Sequence, residues 1–195
     1  MPYRVTTPPP VEPVTLAEVK EHLRIDHSDH DTMLEGLIQA SREHVEMTTG
    51  RALVGQTRVA SFPTWGVFAL PGAPVQSVSA IRYTDTSGTI NTVPADNYVL
   101  LPDRTPAAVV RAHGAQWPGA AIYPDAYPIE VEYVCGYEPV GSPVDYTAEI
   151  PESIKNAIKL DVELRYDRPP EGYSERLEQV IKSLLAPYRV WWGAV

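Results

Sequence analysis

The chain has 195 residues and a formal net charge of −9, with 44% hydrophobic and 21% charged residues. This composition is typical of a globular protein that buries its core as one domain, or as one domain with an insert. No apolar run approaches the roughly 20 residues that span a bilayer, and the N-terminus lacks the apolar segment of a signal peptide, so we expect a cytoplasmic origin. An acidic chain without a basic patch is also poorly suited to binding the phosphates of a nucleic acid.

Residues 1–14 are predicted to form an extended arm. Five prolines lie within the first 13 residues. Proline interrupts helices and is excluded from central strands, so neither element is expected here.

Residues 15–50 are predicted to form two helices. Thr15 and Glu18 have the spacing of a capping box, which marks the start of the first helix. Gly50 stands where a left-handed residue ends the second helix. Apolar or small residues recur at helical spacing between these signals: Leu16, Val19 and Leu23, then Leu34, Leu37, Ile38, Ser41, Val45 and Thr48.

The pattern changes across residues 51–150, which contain eleven of the twenty prolines. Short segments rich in valine, isoleucine and tyrosine alternate with turn signals, and this is typical of a small antiparallel sheet or sandwich. The predicted strands are residues 57–62, 67–70, 78–83, 98–101, 109–112 and 129–134.

Residues 151–186 return to helical spacing. Pro151 is suited to a first helical turn, Ser174 is the predicted N-cap of the last helix, and that helix should end before Pro187. The fold class expected is α+β: a four-helix core built from residues 15–50 and 151–186, with an inserted antiparallel β subdomain at residues 51–150.

Candidate metal ligands are concentrated between the first two helices, where Asp26, His27, Asp29, His30 and Asp31 follow one another closely. The favoured interpretation is that Ser28 and the aspartates cap the second helix while the histidines face solvent. A metal-dependent hydrolase built on this cluster is the weaker alternative. The lone cysteine, Cys135, is interpreted as a small buried side chain. No catalytic motif is present, so we predict no enzymatic activity, no cofactor and no metal.

The C-terminal tail, residues 187–195, contains two of the four tryptophans. Tyrosine, tryptophan and arginine dominate interface hot spots, which favours a docking role for the tail. The alternative is that both indoles pack on the chain's own helices.

Several segments together resemble a known family. The resemblance rests on residues 15–26, 34–46 and 49–53, and it continues at residues 131–137, 150–158 and 184–189. In these runs the chain is similar to the head-tail connector proteins of long-tailed phages and gene transfer agents, also called adaptors or head-completion proteins. The strand-rich middle resembles the longer branch of that family.

The resemblance implies a structural role at the head-tail junction of a virion or virion-like particle. Similar proteins form a ring, dodecameric in assembled particles, that binds the portal of a DNA-filled capsid and offers a platform to a tail-side connector or stopper protein. DNA would pass through the ring without specific binding. The portal-docking candidates are Tyr188, Arg189, Val190, Trp191 and Trp192.

The charge distribution along the chain indicates which residues would face the DNA channel of such a ring. Residues 15–50 carry eight acids and three bases, a net charge of −5, whereas residues 151–195 carry seven of each. Repulsion from DNA phosphates therefore favours the N-terminal helices at the channel. The acidic candidates are Glu18, Glu21, Glu35, Glu43 and Glu46.

A second hypothesis comes from a different class of protein. The chain would be a carbohydrate- or protein-binding module displayed on a particle, with the β subdomain as its recognition face. The aromatic contacts would then be Trp65, Tyr83, Tyr98 and Trp117.

Overall fold

The computed structural model describes residues 2–119, 122–124, 127–166, 170 and 172–191. Within these residues four α-helices are present: α1 (Leu16–Leu23), α2 (Asp31–Thr49), α3 (Glu152–Tyr166) and α4 (Tyr173–Leu185). The strands are β1 (Tyr3–Thr7), β2 (Gln56–Phe62), β3 (Phe68–Ala69), β4 (Val75–Thr84), β5 (Ile90–Thr92), β6 (Tyr98–Leu101), β7 (Ala108–Arg111) and β8 (Ile129–Cys135). All strand pairs are antiparallel, so the predicted α+β class is confirmed.

The chain divides into two compact units. Of the described residues, the helical unit contains 10–54 and 137–189, and the β unit contains 2–9, 55–136 and 190–191. Residues 2–9 and 190–191 thus belong to the β unit together with residues 55–136.

The helical unit is organised around α3, which packs against both α2 and α4. The capping box that starts α1 is confirmed: the Thr15 amide donates to Glu18 Oε2 at 2.6 Å, and the Glu18 amide donates to Thr15 Oγ1 at 3.2 Å. Gly50 ends α2 with φ 70°, also as predicted. No helix in the described part of the chain is long and apolar enough to cross a membrane. The core includes Val19, Leu34, Ile38, Val45, Ile154, Ile158, Val162, Ile181 and Leu185.

Three helical details differ from the prediction. Ser174 is not an N-cap, because Gly172 precedes the helix in the left-handed region and places Ser174 inside the first turn. Ser28 does not cap α2 with its side chain; instead its carbonyl accepts from the Asp31 amide at 3.1 Å. The helical spacing of Leu177, Val180 and Ile181 predicts all three in the apolar stripe of α4, but Val180 lies on the flank of the helix, 46% exposed.

The β unit contains a five-stranded sheet in the order β1-β2-β8-β4-β5 and a three-stranded sheet in the order β3-β7-β6. The central strand β8 alternates strictly, with Ile129, Val131, Tyr133 and Cys135 buried. The N-terminal arm contributes β1 as an edge strand, a position that tolerates the prolines on either side. Strands β1 and β5 were not predicted, whereas the six predicted strands all exist with bounds shifted by up to three residues.

One close approach in the β unit requires glycine. Gly72 has φ 86°, and a Cβ at this position would lie 2.5 Å from Arg58 Nη1. Arg58 is itself buried, with its guanidinium 5.0 Å from the centre of the Tyr3 ring. The arm and the glycine therefore both contribute to the environment of this buried cation.

Candidate interaction surfaces

The C-terminal tail leaves α4 through a 3-10 turn. Helix α4 ends at Leu185, before Pro187 as predicted, and the turn Ala186–Tyr188 follows. Arg51 Nε donates to the Tyr188 carbonyl at 2.7 Å, and the Tyr188 side chain packs against the helical core. Tyr188 is therefore part of the helical unit as well as a docking candidate.

The remaining docking candidates have different environments. Arg189 is exposed, Val190 is buried, and Trp191 is 72% exposed. Trp192 lies outside the described residues.

Four of the five acidic candidates are exposed residues of the helical unit: Glu18, Glu21, Glu35 and Glu43. Glu18 is engaged in the capping box. Partial burial would raise the pKa of Glu18, but hydrogen bonds from Thr15 and the nearby charge of Lys159 hold it below the usual value. Glu35 is exposed and makes no hydrogen bond or ion pair with any other described residue.

Glu46 has a structural environment that sequence patterning could not reveal. Its side chain is only 10% exposed, and its carboxylate accepts from the Leu53 amide at 2.8 Å. Arg42, 8% exposed, lies 3.6 Å from the Glu46 carboxylate. Arg42 also contacts Glu12 at 2.8 Å and Glu43 at 3.7 Å. Arg42 therefore links the segment before α1 to α2 through its contact with Glu12, and the Glu46 carboxylate makes contacts within the helical unit.

The histidines near the predicted metal cluster bond to α3. His22 Nε2 lies 2.9 Å from Glu163, and His30 Nδ1 lies 2.6 Å from the Tyr166 hydroxyl. His44 Nδ1 lies 3.1 Å from the buried carboxylate of Asp161. His27 and His30 are exposed, as predicted, and the hydrogen bond between His30 and Tyr166 also lies at the surface, whereas His44 is partly buried. Among the described residues, no group of three or more acidic, histidine or cysteine side chains is arranged to hold a metal ion.

The aromatic residues proposed for a recognition face mainly contact one another. Trp65 stacks on Trp117 with ring centroids 5.3 Å apart and planes at 17°. Tyr83 meets Trp65 edge-on at 5.3 Å, and Phe68 contacts both indoles. Three of the four residues therefore form one cluster in the β unit, in which ring faces are covered by other rings. Tyr98 lies apart on β6, where burial raises its pKa.

The fold and these surfaces define an α+β protein of two units, with apolar side chains exposed on α2, on α4 and in the C-terminal tail. Residues 13–97 match the model of the phage gp6-like head-tail connector protein family. The resemblance predicted from the sequence is thereby confirmed. No curated protein sequence matches the chain.

Solved structures with a similar fold come from gene transfer agent (GTA) particles. A chain in the neck of an empty GTA particle, computed with C6 symmetry, is 22% identical with a TM-score of 0.75. A chain in the virion of the native particle gives the same two values. A chain in the native neck, computed with C12 symmetry, is 21% identical with a TM-score of 0.73. Each comparison covers 100% of this chain and 98% of the other.

Proposed function

We propose that this protein is a structural head-tail connector of a virion or virion-like particle. It forms a ring, dodecameric when assembled, between the portal and a tail-side connector or stopper protein, and it catalyses no reaction. The observation that carries this proposal is the end-to-end likeness to chains in GTA necks, with a TM-score of 0.75. The match of residues 13–97 to a connector family supports it from sequence.

In this proposal the helical unit forms the core of the ring and the β unit is peripheral. The N-terminal helices, with their net charge of −5, face the DNA channel. Charge screening over about 8–10 Å restricts the repulsion to residues near the DNA. The exposed carboxylates Glu18, Glu21 and Glu35 fit this role best. Glu43 is a weaker candidate because its carboxylate already contacts Arg42 and Gln39, and the buried position of Glu46 makes it the weakest.

The C-terminal tail is the proposed portal anchor. Trp191 is 72% exposed, and burial of such a side chain in a portal pocket would contribute about 2–3 kcal/mol. In this proposal Arg189, two residues earlier and also exposed, contacts a portal acid or carbonyl. Trp192, outside the described residues, is the second proposed anchor.

The test is binding to purified portal particles. A chain ending at Val190 lacks both anchors but keeps the Tyr188 carbonyl that Arg51 binds, so it should retain its circular dichroism spectrum. We expect its affinity for the portal, and that of Trp191→Ala, to fall at least about tenfold. Tyr127→Ala is the matched control, because Tyr127 is an exposed aromatic residue of the β unit. Equal portal binding by all variants would contradict the docking role.

A further inference from the structure

Helix α2 has an exposed stripe on the side opposite its core residues. At 100° per residue, Met33, Gly36, Ala40 and Met47 lie on one face, about half a turn from the buried Leu34 and Ile38. Met47 is 78% exposed, and a Cβ at Gly36 would meet nothing within 4 Å. Methionines grouped on an open helix face are characteristic of contact surfaces. We call this set the α2 stripe.

Helix α4 has a second open face. Val180 is 46% exposed, and Arg176 lies one turn earlier on the same flank. Arg176 makes no hydrogen bond or ion pair with another described residue. Tyr173, 47% exposed, extends this face toward the start of the helix. We call Tyr173, Arg176 and Val180 the α4 stripe.

We infer that the α2 stripe of one copy packs against the α4 stripe of the next copy in the ring. The apolar side chains Met47 and Val180 would cover each other. The charges are complementary, because Glu43 borders the α2 stripe with its side chain 58% exposed and Arg176 belongs to the α4 stripe. The small residue Ala40, one turn before Glu43, permits close approach of the opposing helix.

The arrangement of the helical unit suits a closed ring. The central helix α3 packs against both α2 and α4, so the two stripes are different surfaces of one unit. Contacts between different surfaces of identical copies are heterologous, and they close into a ring when the rotation permits. This inference rests on the proposed connector function, and it names the residues through which the ring forms.

Cysteine cross-linking during assembly on the portal tests the contact. The single native cysteine, Cys135, is fully buried, so the wild-type chain provides the background. An equal mixture of Met47→Cys and Val180→Cys chains should give cross-linked dimers under mild oxidation. A mixture of Met47→Cys with Val144→Cys should not, although Val144 is 57% exposed in the same unit. Cross-linking of Met47→Cys chains with each other alone would reveal a two-fold contact and overturn the inference.

Charge reversal distinguishes this inference from the proposed function. We expect Arg176→Glu to reduce ring formation on the portal at least about tenfold, and Glu43→Arg in the same chain to restore it in large part. Normal ring formation by Arg176→Glu and by Met47→Ser would overturn the α2–α4 contact while leaving the connector function intact. Absence of any ring from the wild-type chain would instead overturn the proposed function, and the inference with it.

Discussion

Replacement of Arg42 by alanine should be among the most damaging single changes in the helical unit. Arg42 is 8% exposed and lies 2.8 Å from Glu12 and 3.6 Å from Glu46. Removing it takes an ion-pair partner from the Glu46 carboxylate, which is only 10% exposed and accepts from the Leu53 amide. Breaking a buried ion pair by removing one partner costs about 3–5 kcal/mol. Glu12 and Glu43 are more exposed and regain water, so their loss adds less than about 1 kcal/mol.

We therefore expect the Arg42→Ala change to lower the free energy of unfolding by about 3 kcal/mol. For a chain of this size, that corresponds to a fall in Tm of about 6–12 °C. Thermal and urea unfolding followed by far-ultraviolet circular dichroism measures the loss, because the helical signal reports on this unit.

The control and the rescue make the Arg42 experiment specific. Lys182→Ala removes a surface ion pair with Glu178 on α4 and should cost less than about 0.5 kcal/mol. Adding Glu46→Gln to Arg42→Ala should recover part of the loss, since the carboxylate that has lost its contact with Arg42 is then replaced by a neutral amide. The reasoning is refuted if Arg42→Ala is no more harmful than Lys182→Ala, or if Glu46→Gln makes it worse.

Two further predictions concern local structure and pH. Gly72→Ala should lower the free energy of unfolding by at least about 2 kcal/mol, because it combines backbone strain with a clash at Arg58. The control is Gly88→Ala, which has φ 84° and open space around it and should lower the same quantity by about 1 kcal/mol. Equal losses in thermal unfolding would mean that Arg58 moves aside freely. Glu18→Ala should cost about 1 kcal/mol at neutral pH through loss of the capping box. The folded-state pKa of Glu18 is below its usual 4.5, so the stabilisation from the capping box is complete above pH 4.5 and is lost as the pH falls through the folded pKa. The difference in free energy of unfolding between wild type and Glu18→Ala should therefore shrink on acidification, and a difference that grows would contradict this.

Helix boundaries with strong local signals were predictable. The capping box at Thr15 and the left-handed glycine at Gly50 each depend on residues within one turn, and both are present in the structure. Ser174 failed as a predicted cap because a competing local signal, Gly172 in the left-handed region, sets the start of α4. Local propensity alone does not decide between such neighbours.

Features that depend on distant pairing could not be read from the sequence. Strand β1 is defined by its pairing with β2, more than 50 residues away. The prolines on either side of it argue against a strand when only the local sequence is considered. Glu46 has the same local sequence pattern as an exposed helical glutamate, yet its side chain is largely buried, where it contacts Arg42 and accepts from the Leu53 amide. The exposed position of Val180 likewise emerges only once the helices are packed.

The most direct measurement of the connector function is electron cryomicroscopy of the full-length chain assembled with the portal of its particle. Our account predicts a closed ring of identical copies on the portal, with the helical units around the channel, acidic N-terminal helices facing the lumen and the C-terminal tail inserted into portal pockets. A chain that remains monomeric beside the portal, or a ring whose channel is lined by the β units, would contradict it.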